Sequence, residues 1–366
     1  MKRIICTVTN DLNFDQRMIR ICTSLTNAGY TVLLVGRKLS NSPILKKQPF
    51  RQKQFGLFFN KGKLFYLEYN FRLFFYLLFT RFDAVCAVDL DTIVPGFIIS
   101  KIKQKICIYD AHEYFTEVPE VVNRPLVKKI WENIAQLIIP RIKYAYTVCE
   151  SIAEVFYEKY NTQFIVIRNV PNKKPLPVNI KKKVSPFIII YQGVLNEGRG
   201  LEEVIEAMQY LENTELWLAG EGDLSNKLRA LVTEKKLEKK VVFYGRISPD
   251  ELYKLTAKAH VGLNLLQNKG LNYYYSLANK TFDYMQAGIP SLCMAFPEYE
   301  KINKEYNALY LLDNLNVGEI INAINFYKNN ESAYQEKCKN SRFAAEDLIW
   351  ENEEKKLLNF YVKILG

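Results

Sequence analysis

The segment SLANKTFDYMQAGIPSL, residues 276–292, places an amide, a cation and an acid around one predicted helix start. Asn279 and Lys280 stand at that start, Thr281 follows them, and Asp283 lies about one turn further on. A lysine and the free N–H groups of a helix N-terminus can hold a diphosphate. An aspartate can accept hydrogen bonds from ribose hydroxyls. The pattern alone fits an ordinary capped amphipathic helix equally well.

Two glycine-containing loops follow predicted strands in the same half of the chain, within YQGVLNEGRGLEE (191–203) and AGEGD (219–223). Glycine lets the backbone approach a ligand closely, and Arg199 in the first loop offers a fork of donors to a phosphate. Together the loops indicate a nucleoside diphosphate site. Their other candidate residues are Gly193, Gly198, Gly200, Gly220, Glu221 and Gly222.

Carboxylates flank one of the two histidines of the chain. YDAHEY (109–114) places Asp110, His112 and Glu113 at the end of a predicted strand, and the two carboxylates are candidates for the acceptor side. A histidine beside carboxylates at a strand end is a candidate for proton transfer or for binding charge. His260 begins another predicted strand, where we expect a structural role.

The first strand–helix junction, CTVTNDLNFDQR, contains no glycine. A dinucleotide-binding fingerprint requires GxGxxG at this point, so an NAD enzyme is disfavoured. The polar residues could instead line an acceptor pocket, and the candidates are Asn10, Asp11, Asp15 and Arg17. The alternative is that Asn13 or Asp15 caps the following helix.

Apolar runs alternate with amphipathic ones along both halves of the chain. Such alternation predicts parallel βαβ units, and therefore two Rossmann-like doubly wound α/β domains that face each other across a cleft. The sequence SPDEL predicts a capping box from Ser248 to Glu251. We expect four parts: a first domain (1–172), a linker (173–186), a second domain with the nucleoside diphosphate site (187–345) and a C-terminal helix (346–366) that packs back on the first domain.

Composition and charge restrict the class of protein. The 366 residues carry a net charge of +11, with +15 in residues 1–200 and −4 in residues 201–366. A basic first half suggests an anionic partner, such as a membrane surface, and the aromatic region 55–82 could help to bind it. The favoured interpretation of 70–80 is a helix packed on the sheet. Seven dispersed cysteines and no apolar run of spanning length predict a reduced, cytoplasmic protein, at most peripheral at the membrane.

These segments, in the order DAHE, GVLNEGRGLEEVIEAM, LAGEGD, VVFYGRISPDELYKL and LANKTFDYMQAGIP, resemble family 4 retaining glycosyltransferases (glycosyl transferases group 1). The resemblance implies a GT-B fold and metal-independent transfer, without a cofactor, from a nucleotide-sugar donor to a glycan or lipid-linked acceptor. It implies that residues 1–172 form the acceptor-side domain and residues 187–345 the nucleotide-sugar-binding domain. It also implies that His112 contacts the donor sugar and diphosphate. It further implies that Arg199 holds the diphosphate and that Asp283 binds the ribose. We expect Arg199, Lys280 and a helix N-terminus to stabilise the leaving diphosphate.

Two positions depart from the family pattern. Val194 stands where an arginine is frequent, and Tyr275 replaces the first acid of the paired-glutamate motif. These departures support the alternative of a non-catalytic subunit that binds a sugar nucleotide. A further alternative is a nucleotide-sugar epimerase or hydrolase, which would use the same diphosphate contacts without an acceptor. A nucleic-acid partner is not expected, because no binding motif stands out.

Overall fold

The computed structural model describes residues 1–40, 42–175 and 185–366. It divides into two compact units, of which unit 1 comprises Met1–Asn169 and Glu353–Gly366, and unit 2 comprises Val170–Asn352. Most of the predicted linker, residues 176–184, lies outside the described residues.

Unit 1 is built on a seven-stranded sheet in which every pairing is parallel. Its strands are β1 (Arg3–Asp11), β2 (Thr31–Lys38), β3 (Arg51–Gly56), β4 (Ala84–Val88), β5 (Ile106–Ala111), β6 (Tyr144–Thr147) and β7 (Ile165–Val166). The order β3-β2-β1-β4-β5-β6-β7 reverses direction between β1 and β4. The helices are α1 (Gln16–Asn27), α2 (Gly62–Phe79), α3 (Ile93–Ile102), α4 (Pro119–Val122), α5 (Pro125–Ile138) and α6 (Glu150–Tyr160).

Unit 2 has a six-stranded parallel sheet with the order β10-β9-β8-β11-β12-β13. Its strands are β8 (Phe187–Gln192), β9 (Thr214–Ala219), β10 (Val241–Gly245), β11 (Val261–Asn264), β12 (Ser291–Met294) and β13 (Leu309–Leu312). Its helices are α7 (Leu201–Ala207), α8 (Ser225–Glu234), α9 (Pro249–Thr256), α10 (Leu271–Tyr274), α11 (Asn279–Gln286), α12 (Pro297–Tyr306), α13 (Val317–Asn329) and α14 (Glu331–Asp347). Here the strand order reverses between β8 and β11.

The predicted class, two doubly wound parallel α/β domains, is therefore confirmed. Central strands are buried on both faces; β4, for example, reads AVCAV and is buried throughout. In such sheets, ligands bind beyond the carboxyl ends of the strands, beside the point where strand order reverses. A ligand is therefore expected beyond the carboxyl ends of β1, β4 and β5 in unit 1, and beyond those of β8 and β11 in unit 2.

The last helix, α15 (Trp350–Leu365), joins unit 1 from Glu353 onward. A Glu353 Oε2 atom accepts the Arg168 N–H at 3.0 Å. The ring of Phe360 lies 5.5 Å from that of Tyr146, and the buried Tyr361 lies 6.3 Å from Tyr30. Aromatic burial of this kind holds the chain terminus against the first sheet.

Several element boundaries differ from those expected. The basic stretch RQKQFG forms the strand β3, although it lacks an apolar run, because it pairs with β2 at the sheet edge. Helix α2 begins at Gly62 rather than near residue 70. The apolar run FIVIRNVPN, residues 164–172, predicts a longer strand than the two-residue β7 that forms there. The capping box at Ser248 and Glu251 is confirmed.

Candidate functional site

The two glycine loops of unit 2 pack backbone against backbone beyond β8 and β9. Gly193 N–H donates to the Ala219 carbonyl at 3.0 Å, and Gly220 has a φ of +148°. A Cβ atom added to Gly220 would lie 1.8 Å from the Gly193 carbonyl oxygen. One added to Gly222 would lie 2.6 Å from the Leu195 carbonyl oxygen. Glycine at these positions is therefore required for the loops to meet.

The first loop leads directly into helix α7. Gly198 and Gly200 both adopt positive φ angles, and Gly200 is the residue that precedes the first helical position. Arg199 lies between them and is half-buried. Its guanidinium lies 4.9 Å from the ring centroid of Tyr273, and a tyrosine face of this kind attracts a cation.

Lys280 is the second cation at this end of the sheet. Its Nζ atom lies 3.8 Å from the ring centroid of Tyr191, and a Cβ atom on Gly193 would lie 3.4 Å from the same nitrogen. Burial, together with the nearby positive charge of Arg199, holds the pKa of Lys280 well below its usual range. The side chain therefore lies beside the glycine loop in surroundings that disfavour its own charge.

Arg199 and Lys280 share a further property. Within the described part of the chain, neither forms an ion pair with a carboxylate, and the buried Arg199 Nε atom has no hydrogen-bond acceptor. Two neighbouring cations held on aromatic faces and left uncompensated create a positive potential. An anion bound between the glycine loop and α11 would be stabilised by both.

Helix α11 begins beside these cations. Ala278 precedes its first turn and provides no side-chain cap, so the first backbone N–H groups lack that partner. Asn279 is exposed at the first helical position. Thr281 is fully buried and its hydroxyl accepts from Asn264 Nδ2 at 3.0 Å, so its side chain is directed into the unit.

Asp283 lies half-buried on the same helix, where Gln192 at the end of β8 orients it. Gln192 Nε2 donates to Asp283 Oδ2 at 2.9 Å, and Gln192 Oε1 accepts from the Thr256 hydroxyl at 2.7 Å. Neither Gln192 nor Thr256 was anticipated from the sequence. The signal that could have identified Gln192 is its position directly before Gly193, at the end of a buried strand.

Glu221, between the two glycines of the second loop, is paired at the surface of the unit. Its Oε1 atom lies 2.9 Å from Arg229 Nη2. Hydrogen bonding from Ser225 and Arg229 lowers the pKa of this carboxyl. It is thus an ionised group at the rim of the glycine loops.

In unit 1, His112 lies between two aspartates at the ends of β5 and β4. His112 Nε2 lies 3.0 Å from Asp110 Oδ2, and Nδ1 lies 3.7 Å from Asp89 Oδ2. The His112 N–H also donates to Asp89 Oδ1 at 2.8 Å. Burial alone would lower the pKa of the imidazole, but the two carboxylates raise it to about 9. A doubly protonated ring, which donates from both nitrogens, suits these surroundings.

Arg17 completes this buried group. Its Nη2 atom donates to Asp110 Oδ1 at 3.0 Å and its Nη1 atom donates to the Ile167 carbonyl at 3.1 Å. Although burial opposes ionisation of Asp110, the charges of Arg17 and His112 lower its pKa. The pKa of Asp89 is raised well above its usual range by burial, which His112 only partly offsets. Arg17 thus positions Asp110 and, through it, His112.

Asp89 was missed by sequence reasoning. It follows the buried strand β4 and has a φ of +54°, which is unusual for a residue other than glycine. The signal was an acid at the end of an apolar run, AVCAVD, on the strand that lies beside β5.

The remaining polar candidates of unit 1 organise the loop after β1. Asp15 Oδ1 accepts the Met18 N–H at 3.0 Å, so the capping alternative is confirmed for Asp15. Asn10 Nδ2 donates to Asp15 Oδ2 at 3.1 Å, and Asp11 Oδ1 accepts the Asn13 N–H at 3.0 Å. Glu113 is half-buried next to His112, where its charge helps to raise the pKa of Asp89.

Three further observations concern positions singled out in the sequence. Val194 is exposed, and the ring of Tyr275 lies 5.1 Å from that of Tyr274. His260 is buried and its Nδ1 atom accepts the Ile188 N–H at 2.9 Å, which confirms its structural role.

Two kinds of feature are absent from the described part of the chain. Among residues 1–40, 42–175 and 185–366, no group of three or more His, Cys, Asp or Glu side chains is arranged to hold a metal ion. Over the same ranges, no helix combines the length and apolar character needed to cross a membrane.

Part of the chain matches a known protein family. Residues 172–344 match the family model described as "Glycosyl transferases group 1". The sequence matches no curated protein.

Solved structures are similar over almost the whole chain. Sucrose-phosphate synthase from Thermosynechococcus elongatus has a TM-score of 0.82 at 16% identity, covering 100% of this chain and 99% of its own. Anabaena Alr3699/HepE in complex with UDP-glucose has a TM-score of 0.77 at 14% identity, covering 99% and 100%. WaaG, a glycosyltransferase involved in lipopolysaccharide biosynthesis, has a TM-score of 0.75 at 15% identity, covering 100% of both chains. At such identities the likeness concerns the fold. Residues 172–344 therefore match the glycosyl transferases group 1 family, and the chain as a whole shares the two-sheet GT-B fold of these solved structures.

Proposed function

We propose that the protein transfers a sugar from a nucleoside diphosphate sugar to a glycan or lipid-linked acceptor, with retention of configuration and without a metal ion or cofactor. The observation that carries this proposal is the uncompensated pair of cations, Arg199 and Lys280, beside the glycine loops of unit 2. A diphosphate is the anion whose charge and size fit two cations and a helix start.

Other residues at the same end of the unit 2 sheet contact the nucleotide-sugar donor in this proposal. Asp283, oriented by Gln192, accepts hydrogen bonds from the ribose hydroxyls. The backbone of the loops containing Gly193 and Gly220 approaches the nucleotide, because glycine carries no side chain to hold a ligand away from the backbone. Support comes from the similar Alr3699/HepE structures, whose descriptions name UDP, glucose and UDP-glucose as bound molecules.

The chemical step requires charge stabilisation on the departing nucleoside diphosphate. Arg199, Lys280 and the start of α11 supply positive charge and N–H donors to the phosphate oxygens as the glycosidic bond breaks. His112, held as an imidazolium by Asp110 and Asp89, is the residue of unit 1 proposed to act in catalysis. The family resemblance, rather than a bound ligand, assigns it this role and supports retention.

The acceptor and the cellular setting belong to the same proposal. WaaG is described as acting in lipopolysaccharide biosynthesis, which supports synthesis of a cell-surface polysaccharide or glycoconjugate. We place the enzyme in the cytoplasm, peripheral to the inner face of the cell membrane. The polar residues after β1 form the acceptor side of this proposal, although their hydrogen bonds already stabilise the loop.

A second function is favoured by one observation. Tyr275 stands where the family resemblance expects an acid, which suits a subunit that binds a sugar nucleotide without turning it over. The two functions differ in turnover rather than in donor binding.

A thermal-shift panel of nucleotide sugars, followed by a transfer assay with the donor that binds, tests the proposal. A donor at a hundred times its Kd stabilises a protein by about 2.7 kcal/mol, or roughly 5 °C or more for a unit of this size. Transfer to an acceptor supports the enzyme. Binding without turnover across an acceptor panel supports the second function, and turnover without acceptor supports a hydrolase or epimerase. If no nucleotide sugar shifts the melting temperature, the proposal is wrong.

A further inference from the structure

Helix α2 of unit 1 has two apolar faces, of which only one is packed in the core. The inner face consists of Phe65, Tyr69, Leu73 and Leu77, which are at most 5% exposed and pack against β1, β2 and β4. The outer face is also apolar, although it is exposed to solvent. An amphipathic surface helix would be polar on that side.

The exposed side chains form a continuous stripe, here called the outer stripe. Its helical members recur at intervals of three or four residues, so they lie on one face of α2. Their exposed fractions range from 41% for Phe75 to 81% for Phe79. The outer stripe consists of Leu64, Leu67, Phe71, Phe75 and Phe79, with Phe58 and Phe59 in the preceding loop. A contiguous apolar surface of seven large exposed side chains on a monomer usually marks an interaction site.

The loop that presents Phe58 and Phe59 is held in place by hydrogen bonds. The carboxylate of Glu68, on α2, accepts the N–H groups of Phe58 at 3.0 Å and Phe59 at 2.9 Å. Arg72 pairs with the same carboxylate at 2.7 Å and its guanidinium lies 5.3 Å from the Phe58 ring centroid. Both phenylalanines are therefore fixed in exposed positions, which costs hydration free energy unless an apolar partner covers them.

Positive charge surrounds the outer stripe. Residues 51–82 contain a single acidic residue, Glu68, which is already engaged by the loop and Arg72. The same segment contains six basic residues, namely Arg51, Lys53, Lys61, Lys63, Arg72 and Arg81. Lys53 and Arg72 line one groove together with Phe71, Phe75 and Phe79, so cations and exposed aromatic rings share one surface.

We propose that the outer stripe and its surrounding cations dock unit 1 on an anionic phospholipid bilayer, with α2 lying in the plane of the interface. An interfacial helix places aromatic and aliphatic side chains at the boundary of the acyl chains and basic side chains among the headgroups. Each basic residue near an anionic surface strengthens binding about five-fold. A second copy of this chain is disfavoured as the occupant, because a symmetric contact would bring the same cations together.

This inference does not rest on the proposed transfer reaction, since the surface belongs to unit 1 and the donor contacts belong to unit 2. If both hold, docking would bring the enzyme to a lipid-linked acceptor.

The test is co-sedimentation of the full chain with vesicles of phosphatidylcholine alone or mixed with phosphatidylglycerol. Wild-type protein should bind the anionic vesicles at low salt and the neutral ones at least ten-fold less. Addition of 0.5 M NaCl should weaken binding. The double variant Phe71→Ser/Phe79→Ser and the charge reversal Lys61→Glu/Lys63→Glu should each reduce anionic binding at least ten-fold. Leu126→Ser, which alters an exposed leucine on α5, is the matched control and should bind like wild type.

Unchanged melting temperatures would show that the variants are folded, and the nucleotide-sugar thermal shift on the same preparations tests donor binding separately. Absence of binding to anionic vesicles would overturn the inference, as would binding that Phe71→Ser/Phe79→Ser leaves unchanged. Dispersal of a stable dimer by that double variant would overturn it in favour of a second copy.

Discussion

The charge state of His112 is the most specific electrostatic consequence of this structure. Its two ring nitrogens lie 3.0 Å from Asp110 and 3.7 Å from Asp89, and the pKa of the imidazole is raised to about 9. At 3.7 Å and an effective dielectric constant of about 20, one carboxylate contributes about 4 kcal/mol. The actual share of Asp89 is smaller, because burial raises its own pKa. We therefore expect Asp89→Asn to lower the pKa of His112 by about one to two pH units.

The assay is a pH titration of histidine ring signals by NMR. The chain has only two histidines, and His112→Gln assigns the spectrum. The reasoning is refuted if wild-type His112 titrates near 6.5, or if Asp89→Asn leaves its pKa within half a pH unit of the wild-type value.

The same raised pKa makes stability depend on pH. Because folding raises the pKa of His112 from about 6.5 to about 9, protonation stabilises the folded state by about 3 kcal/mol. This contribution is complete below about pH 6.5 and is lost as the pH rises through about 9. Denaturant unfolding at pH 6 and pH 9.5 should show a larger decline in stability for wild type than for His112→Gln, which retains every other titratable side chain.

Three further predictions concern unit 2. Burial and Arg199 lower the pKa of Lys280. At a pH above that pKa, binding of a diphosphate should therefore be accompanied by uptake of a proton by Lys280, and affinity should fall as the pH rises. Calorimetry in HEPES and in Tris should detect this proton uptake in wild type and not in Lys280→Met. Equal uptake in both proteins would show that another group takes up the proton. Gly220→Ala should displace the two loops, lowering the melting temperature and donor affinity, whereas Gly56→Ala, where a Cβ atom meets nothing within 4 Å, should change neither. Gln192→Ala should weaken nucleotide binding about ten-fold, because Asp283 loses the hydrogen bond that orients it. The substitution should weaken binding of a deoxyribose analogue less. If both nucleotides lose affinity equally, Asp283 does not bind the ribose.

Much of the fold could be predicted because periodicity is a local property. Buried parallel strands such as β4 and β8 appear as short apolar runs, and Gly29 and Gly288 mark the ends of α1 and α11. The strand β3 was not recognised as such, because its polar, basic residues form a sheet edge only when β2 is present to pair with them. Helix α2 was predicted too short because its apolar outer face hides the helical period.

The residues of the candidate site likewise divide into those that the sequence could indicate and those that it could not. Arg199 and Lys280 could be proposed from loop and helix-start patterns, and the structure brings them close enough for their charges to interact. Gln192 and Asp89 could not be singled out, because their importance lies in contacts with Asp283 and His112 across neighbouring elements. A sequence shows which residues end a strand, but it does not show which side chains meet beyond it.

The central claim is that Arg199 and Lys280 hold the diphosphate of a sugar nucleotide. Calorimetric titration of nucleoside diphosphates and their sugars into wild type, Arg199→Ala, Lys280→Ala and the control Lys258→Ala tests it most directly, since Lys258 is an exposed lysine of the same unit. We predict that wild type and Lys258→Ala bind one nucleotide sugar equally, and that the other two variants bind it at least ten-fold more weakly and transfer it about a hundred-fold more slowly. Equal affinity and transfer in all four proteins, or no nucleotide bound by any, would contradict the account.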